Sequence, residues 1–129
     1  MRFMMFMLPN LPTEAGNEEW LPPREAVEAM TAYNDEMTKA GVLLALDGLH
    51  PGSAGVRVSF AEDGTTTVTD GPYTEAKEVI GGYWIIEVSS KDEAVEWARR
   101  CPGRGCAIDV RQVFEMDDFP PELRAAANL

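Results

Sequence analysis

From Arg2 to Leu8 the chain sets Phe3, Met5 and Met7 against Met4, Phe6 and Leu8, so an extended segment here is apolar on both faces. The same two-sided pattern returns from Gly82 to Val88, with Tyr83 and Ile85 opposed to Trp84, Ile86 and Val88. Between these strands the period changes. Ala26, Met30, Tyr33, Met37 and Ala40 recur at helical spacing and define the buried face of a helix. That helix is expected to begin near Pro22 or Pro23, where proline's fixed φ and missing donor suit a first turn, with Glu25 complementing the dipole. Gly41 ends it. Pro9 to Pro23, ahead of the helix, reads as a turn-rich loop with Trp20 and Leu21 as anchors.

After the helix, Val42 to Leu49 is extended and runs into the turn cluster His50-Pro51-Gly52-Ser53. Gly55 to Phe60 alternates Val56, Val58 and Phe60 with Arg57 and Ser59. Glu62-Asp63-Gly64 is a hairpin turn signal, and the β-branched run Thr65 to Thr69 is its return strand. Further on, Ser90 with Glu93 matches a capping box. The helix that follows presents Ala94, Val95, Ala98 and Cys101 on one side and stops at Pro102-Gly103. Ala107 to Phe114 is a last strand, alternating Ile108, Val110 and Gln112 with Asp109, Arg111 and Val113. Residues 1–114 form one domain on this reading, and residues 115–129 are an acidic tail or short helix belonging to it.

The order is β-α-β, an inserted hairpin, then β-α-β. Two crossovers in one sheet predict an α+β fold of ferredoxin-like type, two helices laid on an antiparallel sheet. Two helices cover one face of that sheet. The strands around Phe6 and Ile85, placed centrally by this topology, are apolar on both faces, and each large side chain left bare forfeits about 1.5–3 kcal/mol. A second copy of the sheet is the simplest cover, so a homodimer with its sheets face to face is expected.

Composition narrows the partners. The 129 residues suit one domain. The net charge of -11, from 22 acidic against 11 basic residues, repels phosphate backbones, so nucleic acid is not expected as a partner. The longest apolar runs, Phe3 to Leu8 and Val42 to Leu46, are far too short to span a bilayer, so no membrane role is expected. The apolar start lacks a small-residue cleavage site and reads as a strand, making the cytoplasm the default location. Cys101 and Cys106 read as free thiols rather than a disulfide framework. One histidine cannot easily complete a zinc site of Cys and His ligands, and Gly81-Gly82 lacks the helix and lysine of a phosphate loop. No metal or other cofactor is expected.

The segment Thr69-Asp70-Gly71-Pro72-Tyr73-Thr74-Glu75-Ala76-Lys77-Glu78, followed by Gly82-Tyr83-Trp84, resembles the YCII-related family and, more closely, its DGPF-motif branch. Asp47-Gly48-Leu49-His50-Pro51, Glu96 to Pro102 and Ile108 to Val113 support the likeness, which runs through about Phe114. The resemblance implies a ferredoxin-like, dimeric α+β barrel. Most DGPF-type proteins have no assigned reaction, and some are encoded near sigma factors. Some wider YCII-related proteins resemble small-molecule enzymes with a His-Asp pair, the histidine lying early in the chain. Here the first helix has no histidine and Tyr73 replaces the motif's usual Phe, so that mechanism is not carried over.

Candidate chemistry centres on Asp70 and His50. Asp70, before Gly-Pro, reads either as a turn residue accepting backbone N–H bonds or as a carboxylate at a cleft mouth, serving as general base or polar anchor. His50 is the only side chain with an unperturbed pKa near neutrality. It reads as a turn histidine or, should it approach Asp70, as half of an acid–base pair. Asp47, three residues before it, needs a bend at Gly48 to reach it. Tyr73 and Lys77 form either an ordinary solvated segment or part of a substrate-binding wall, with Trp84 beside them. Arg57 and Arg111 read as salt-bridge partners or as anchors for an anionic substrate. Two function classes therefore stand: a protein that binds or transforms a small polar molecule near Asp70, or a non-catalytic dimeric regulatory or interaction module. Enzyme and non-enzyme readings both remain open.

Overall fold

The computed structural model describes residues 1–9, 22–71 and 80–127, and the anchors expected at Trp20 and Leu21 lie outside them. In chain order the elements are β1 (Arg2–Leu8), α1 (Arg24–Lys39), β2 (Leu43–Gly48), β3 (Val56–Phe60), β4 (Thr66–Asp70), β5 (Gly82–Glu87), α2 (Lys91–Arg99), β6 (Ala107–Gln112) and α3 (Pro121–Ala127). Single 3-10 turns, Gly52–Ala54 and Met116–Asp118, precede β3 and α3.

Four strands make an antiparallel sheet in the order β2-β5-β1-β6, while β3 and β4 pair separately as a two-stranded ribbon. The two strands with apolar faces on both sides, β1 and β5, are the central ones, registered Met5 opposite Trp84 and Phe3 opposite Ile86. This is a mixed α+β architecture compatible with the ferredoxin-like arrangement. The tail beyond β6 forms a 3-10 turn and α3, and is tied back where Arg2 Nε donates to Glu115 Oε1 at 2.7 Å.

Helices α1 and α2 cover one face of the sheet. Phe3, Met5, Trp84, Ile86 and Val88 meet Tyr33 and Met37 of α1 and Ala94 and Trp97 of α2 in a single buried core. Phe3, Met5, Met37 and Ile86 are the largest fully buried side chains, each contributing about 1.5–3 kcal/mol from apolar burial. The helices are also joined to each other, since the buried Tyr33 hydroxyl donates to the Trp97 carbonyl at 2.6 Å. Burial pushes the Tyr33 phenol well above its ordinary pKa. At the α2–α1 edge, Arg100 stacks 4.2 Å from the centre of the Trp97 ring and reaches Glu36 at 3.2 Å.

Helix ends follow local chemistry. Gly41, at φ +74°, takes the left-handed position that closes α1; its N–H donates to Thr38 O and that of Val42 to Met37 O, the paired bonds of a Schellman cap. Prolines Pro22 and Pro23 precede α1 instead of occupying its first turn, Pro23 standing at the N-cap in extended conformation. Ala26 and Ala40, expected on the buried face, are exposed because they lie at the helix ends, past the reach of the sheet. Ser90 caps α2 by accepting from Glu93 N–H at 3.1 Å. The Glu93 carboxylate passes Ser90 and takes the Ser89 N–H and hydroxyl, which holds it below the usual carboxylate pKa. Trp97 is missing from the expected face of α2, although it lies three residues after Ala94 and is buried beside it.

Candidate functional site

The ribbon β3–β4 carries the first candidate residue. Its turn is set by Asp63, which accepts from Thr65 N–H at 2.9 Å and from the Thr65 hydroxyl at 2.6 Å, with Gly64 at φ +87°. Those bonds hold the Asp63 carboxyl below its usual range. From that turn β4 runs back to Asp70, which faces Val56 across the ribbon and is exposed.

The next residue explains the glycine of the Asp-Gly-Pro run. Gly71 N–H donates to Gly55 O at 2.9 Å, and a Cβ on Gly71 would run into the carbonyl oxygen of Gly52. Only glycine permits so close a backbone approach. Gly52 begins the 3-10 turn that follows His50-Pro51, so the Asp70 end of the ribbon is pressed against the turn just after His50. His50 itself is exposed, and among the described residues no hydrogen bond or ion pair joins it to Asp70. The structure thus brings together the two backbones that carry these side chains.

The other candidates are spread more widely. Tyr73 and Lys77 lie outside the described residues. Arg57 is exposed on β3 opposite Thr69, on the polar face of the ribbon. Arg111 is exposed on β6 opposite Met4. Trp84 is 5% exposed and sits in the core. Its indole N–H donates to Asn34 Oδ1 at 2.8 Å, and its ring meets Tyr33 edge-on with centroids 5.9 Å apart. Both contacts fix the ring under α1.

One polar pair was not visible in the linear sequence. Tyr83 on β5 donates its hydroxyl to Asp47 Oδ2 on β2 at 2.7 Å. This bond raises the Tyr83 pKa, because the phenolate form would lose it. The linear sequence relates Asp47 to His50, three residues further on and past the end of β2. The signal that finds the true pair is register, since β2 and β5 set Asp47 directly opposite Tyr83. The pair lies on the sheet face turned away from the helices. There Phe6 stands between Tyr83 and Asp109, and Met4 between Ile85 and Arg111. Met4, Phe6, Leu8, Tyr83 and Ile85 are half-buried on this outer face. Among the described residues no cluster of His, Cys, Asp or Glu could hold a metal ion.

A helix-on-sheet α+β domain with a projecting ribbon, its Asp-Gly corner wedged on a neighbouring turn, is the class these features define. Residues 1–117 match the model of the YCII-related domain, and the chain belongs to the YCII-related family. It is also similar to an uncharacterized protein of Rhizobium meliloti (strain 1021), at 34% identity over 70 residues. That stretch covers 54% of this chain and 56% of the relative, so the chain spans little more than half of the curated protein it matches. Among the described residues no helix is long and apolar enough to cross a membrane.

Proposed function

We propose that this protein binds or transforms a small polar molecule in a cleft bordered by Asp70 and His50, and works as a homodimer whose sheets pack outer face to outer face. The observation that carries the first part is the contact of Gly71 with Gly52, which draws the Asp70 corner against the turn after His50. In that setting Asp70 is the anchor or base for a substrate proton, and His50 offers the chain's one imidazole as its partner. The Asp-Gly-Pro run supports placing the chain in the DGPF-type branch, with Tyr73 and Lys77 as further binding candidates. The dimer rests on the half-buried apolar row Met4, Phe6, Leu8 and Ile85, which a second sheet would shield from water.

A thermal-shift screen against metabolites tests the ligand, read alongside Asp70→Asn. The reading expects a stabilising ligand whose effect is lost in Asp70→Asn while the unliganded melting temperature hardly moves. A variant that loses stability without any change in ligand response would reduce Asp70 to a turn residue. Sedimentation velocity at low micromolar concentration tests the dimer, and a monomer there would remove it.

The second reading, a dimeric regulatory or interaction module without catalysis, is favoured by one specific observation. Val56, Val58, Phe60 and Val68 are all at least 47% exposed along the ribbon, a contiguous apolar strip of the kind that meets a partner. If no metabolite shifts the melting temperature while Phe60→Ser alters self-association or partner capture, this reading replaces the first.

A further inference from the structure

We propose that Cys101 and Cys106 form a reversible dithiol site, oxidised by a peroxide to an intramolecular disulfide that clasps the end of α2 to the start of β6. Cys101 stands two residues past α2, and Cys106 immediately precedes β6, so the two thiols bracket the connection between these elements. The fold brings both sulfurs to one residue. A Cβ on Gly103 would lie 2.5 Å from Cys106 Sγ, so it is the missing side chain that lets this sulfur settle against the loop backbone. The backbone of the same Gly103 also acts on the Cys101 thiol, partly offsetting the rise in its pKa. Gly105, at φ +64°, supplies the reversal that returns the chain toward α2.

Access is the second requirement, and the structure meets it. Both cysteines are half-buried and line a cleft of about 440 Å³ between α2 and β6, walled by Val95, Ala98, Arg99 and Ile108. A small oxidant can enter a cleft of that size. Burial, and then the neighbouring Cys106, pushes the Cys101 thiol up to about 11, so Cys101 stays protonated near neutrality. The first attack therefore falls to Cys106. Its sulfur attacks one peroxide oxygen, forming the S–O bond of a sulfenic acid as the O–O bond breaks, and the other oxygen leaves, after protonation, as water or an alcohol. The Cys101 sulfur then attacks the Cys106 sulfur, loses its proton and expels the sulfenic oxygen as water. Two thiols are oxidised by two electrons, and one peroxide is reduced. A dithiol reductant reverses the step.

The full-length protein carries its own assay. Trypsin cleaves after Arg100 and Arg104, so the two cysteines fall in separate peptides, residues 101–104 and 105–111. Reduced protein would be treated with a small excess of hydrogen peroxide, alkylated, digested and weighed. The proposal expects these two peptides to appear joined, lighter by two hydrogens, from protein that remains unlinked between chains on a non-reducing gel. Both peptides should return together, each alkylated, on treatment with dithiothreitol followed by fresh alkylating agent. In Cys101→Ser, Cys106 should instead accumulate as a sulfenic acid that dimedone captures. Recovery of both peptides separately alkylated after peroxide would overturn the proposal, as would over-oxidation of Cys106 in the wild type or linkage confined to pairs of chains. The wild-type mass measurement decides the matter even if the variant folds poorly.

Discussion

The central pair β1–β5 and the ribbon β3–β4 are written in much the same alphabet and end in opposite environments. Both are antiparallel, and both carry large apolar side chains, on two faces in β1 and β5 but on one face of the ribbon, through Val56, Val58, Phe60 and Val68. In the central pair Phe3, Met5, Trp84 and Ile86 are at most 5% exposed, whereas Phe60 of the ribbon is 75% exposed and Val68 64%. The difference comes from what lies on top. α1 and α2 roof the first pair, while the ribbon is a separate two-stranded sheet, a form that is only marginally stable by itself. Alternation selects a strand; the neighbouring layer decides whether the strand becomes core.

Matched substitutions can break this comparison. Ile86→Ala should have the largest effect, lowering stability by about 2–5 kcal/mol, because a fully buried branched side chain leaves a cavity under the helices. Urea denaturation measures it. Gly71→Ala comes next, at about 1–3 kcal/mol, since the added methyl forces the ribbon corner off the Gly52 carbonyl. In that variant amide exchange at position 71 should accelerate more than exchange within β1. Phe60→Ser should change global stability by no more than about 0.5 kcal/mol in the isolated chain, as expected for an exposed position. A loss comparable to that of Ile86→Ala would show that the ribbon belongs to the core after all.

The smallest effect is electrostatic. The Arg2 guanidinium holds Glu115 below the usual carboxylate range, chiefly through its hydrogen bond to the carboxylate. A depressed folded pKa contributes stability above the unfolded carboxylate value, and this is lost as pH falls through the folded value. Arg2→Gln should therefore flatten the acid limb of the stability curve slightly while leaving it unchanged at still lower pH. An equal loss of stability at every pH would assign Arg2 a packing role instead.

How much of this was legible in advance depends on the range of the interaction. Gly41 as a terminator, Ser90 as a cap and Gly64 in a turn are local decisions, and the residues themselves announce them. The order of elements foretold β1 and β5 at the centre of the sheet, because two β-α-β crossovers in one sheet place those strands side by side. Ala26 and Ala40 misled because helical spacing marks a face without saying where the sheet beneath it ends. The bond of Asp47 to Tyr83 is invisible in advance because it spans two strands, and strand register is not written locally. The same limit applies to the candidate site. The Asp-Gly-Pro run is conspicuous in the chain, but the reason for its glycine is the carbonyl of Gly52, nineteen positions earlier.

The placement of the aromatic residues has an optical consequence. Trp84 and Trp97 both lie in the layer between helices and sheet, each less than 10% exposed, with Tyr33 touching the first ring and bonded to the second residue's carbonyl. The ribbon from Val56 to Asp70 contains neither tryptophan nor tyrosine. Intrinsic fluorescence from these rings therefore follows the roofed layer and is blind to the ribbon. Loosening of the corner that holds Asp70 could run to completion with no change in their emission, and a tryptophan placed at Phe60 would give that movement its own signal.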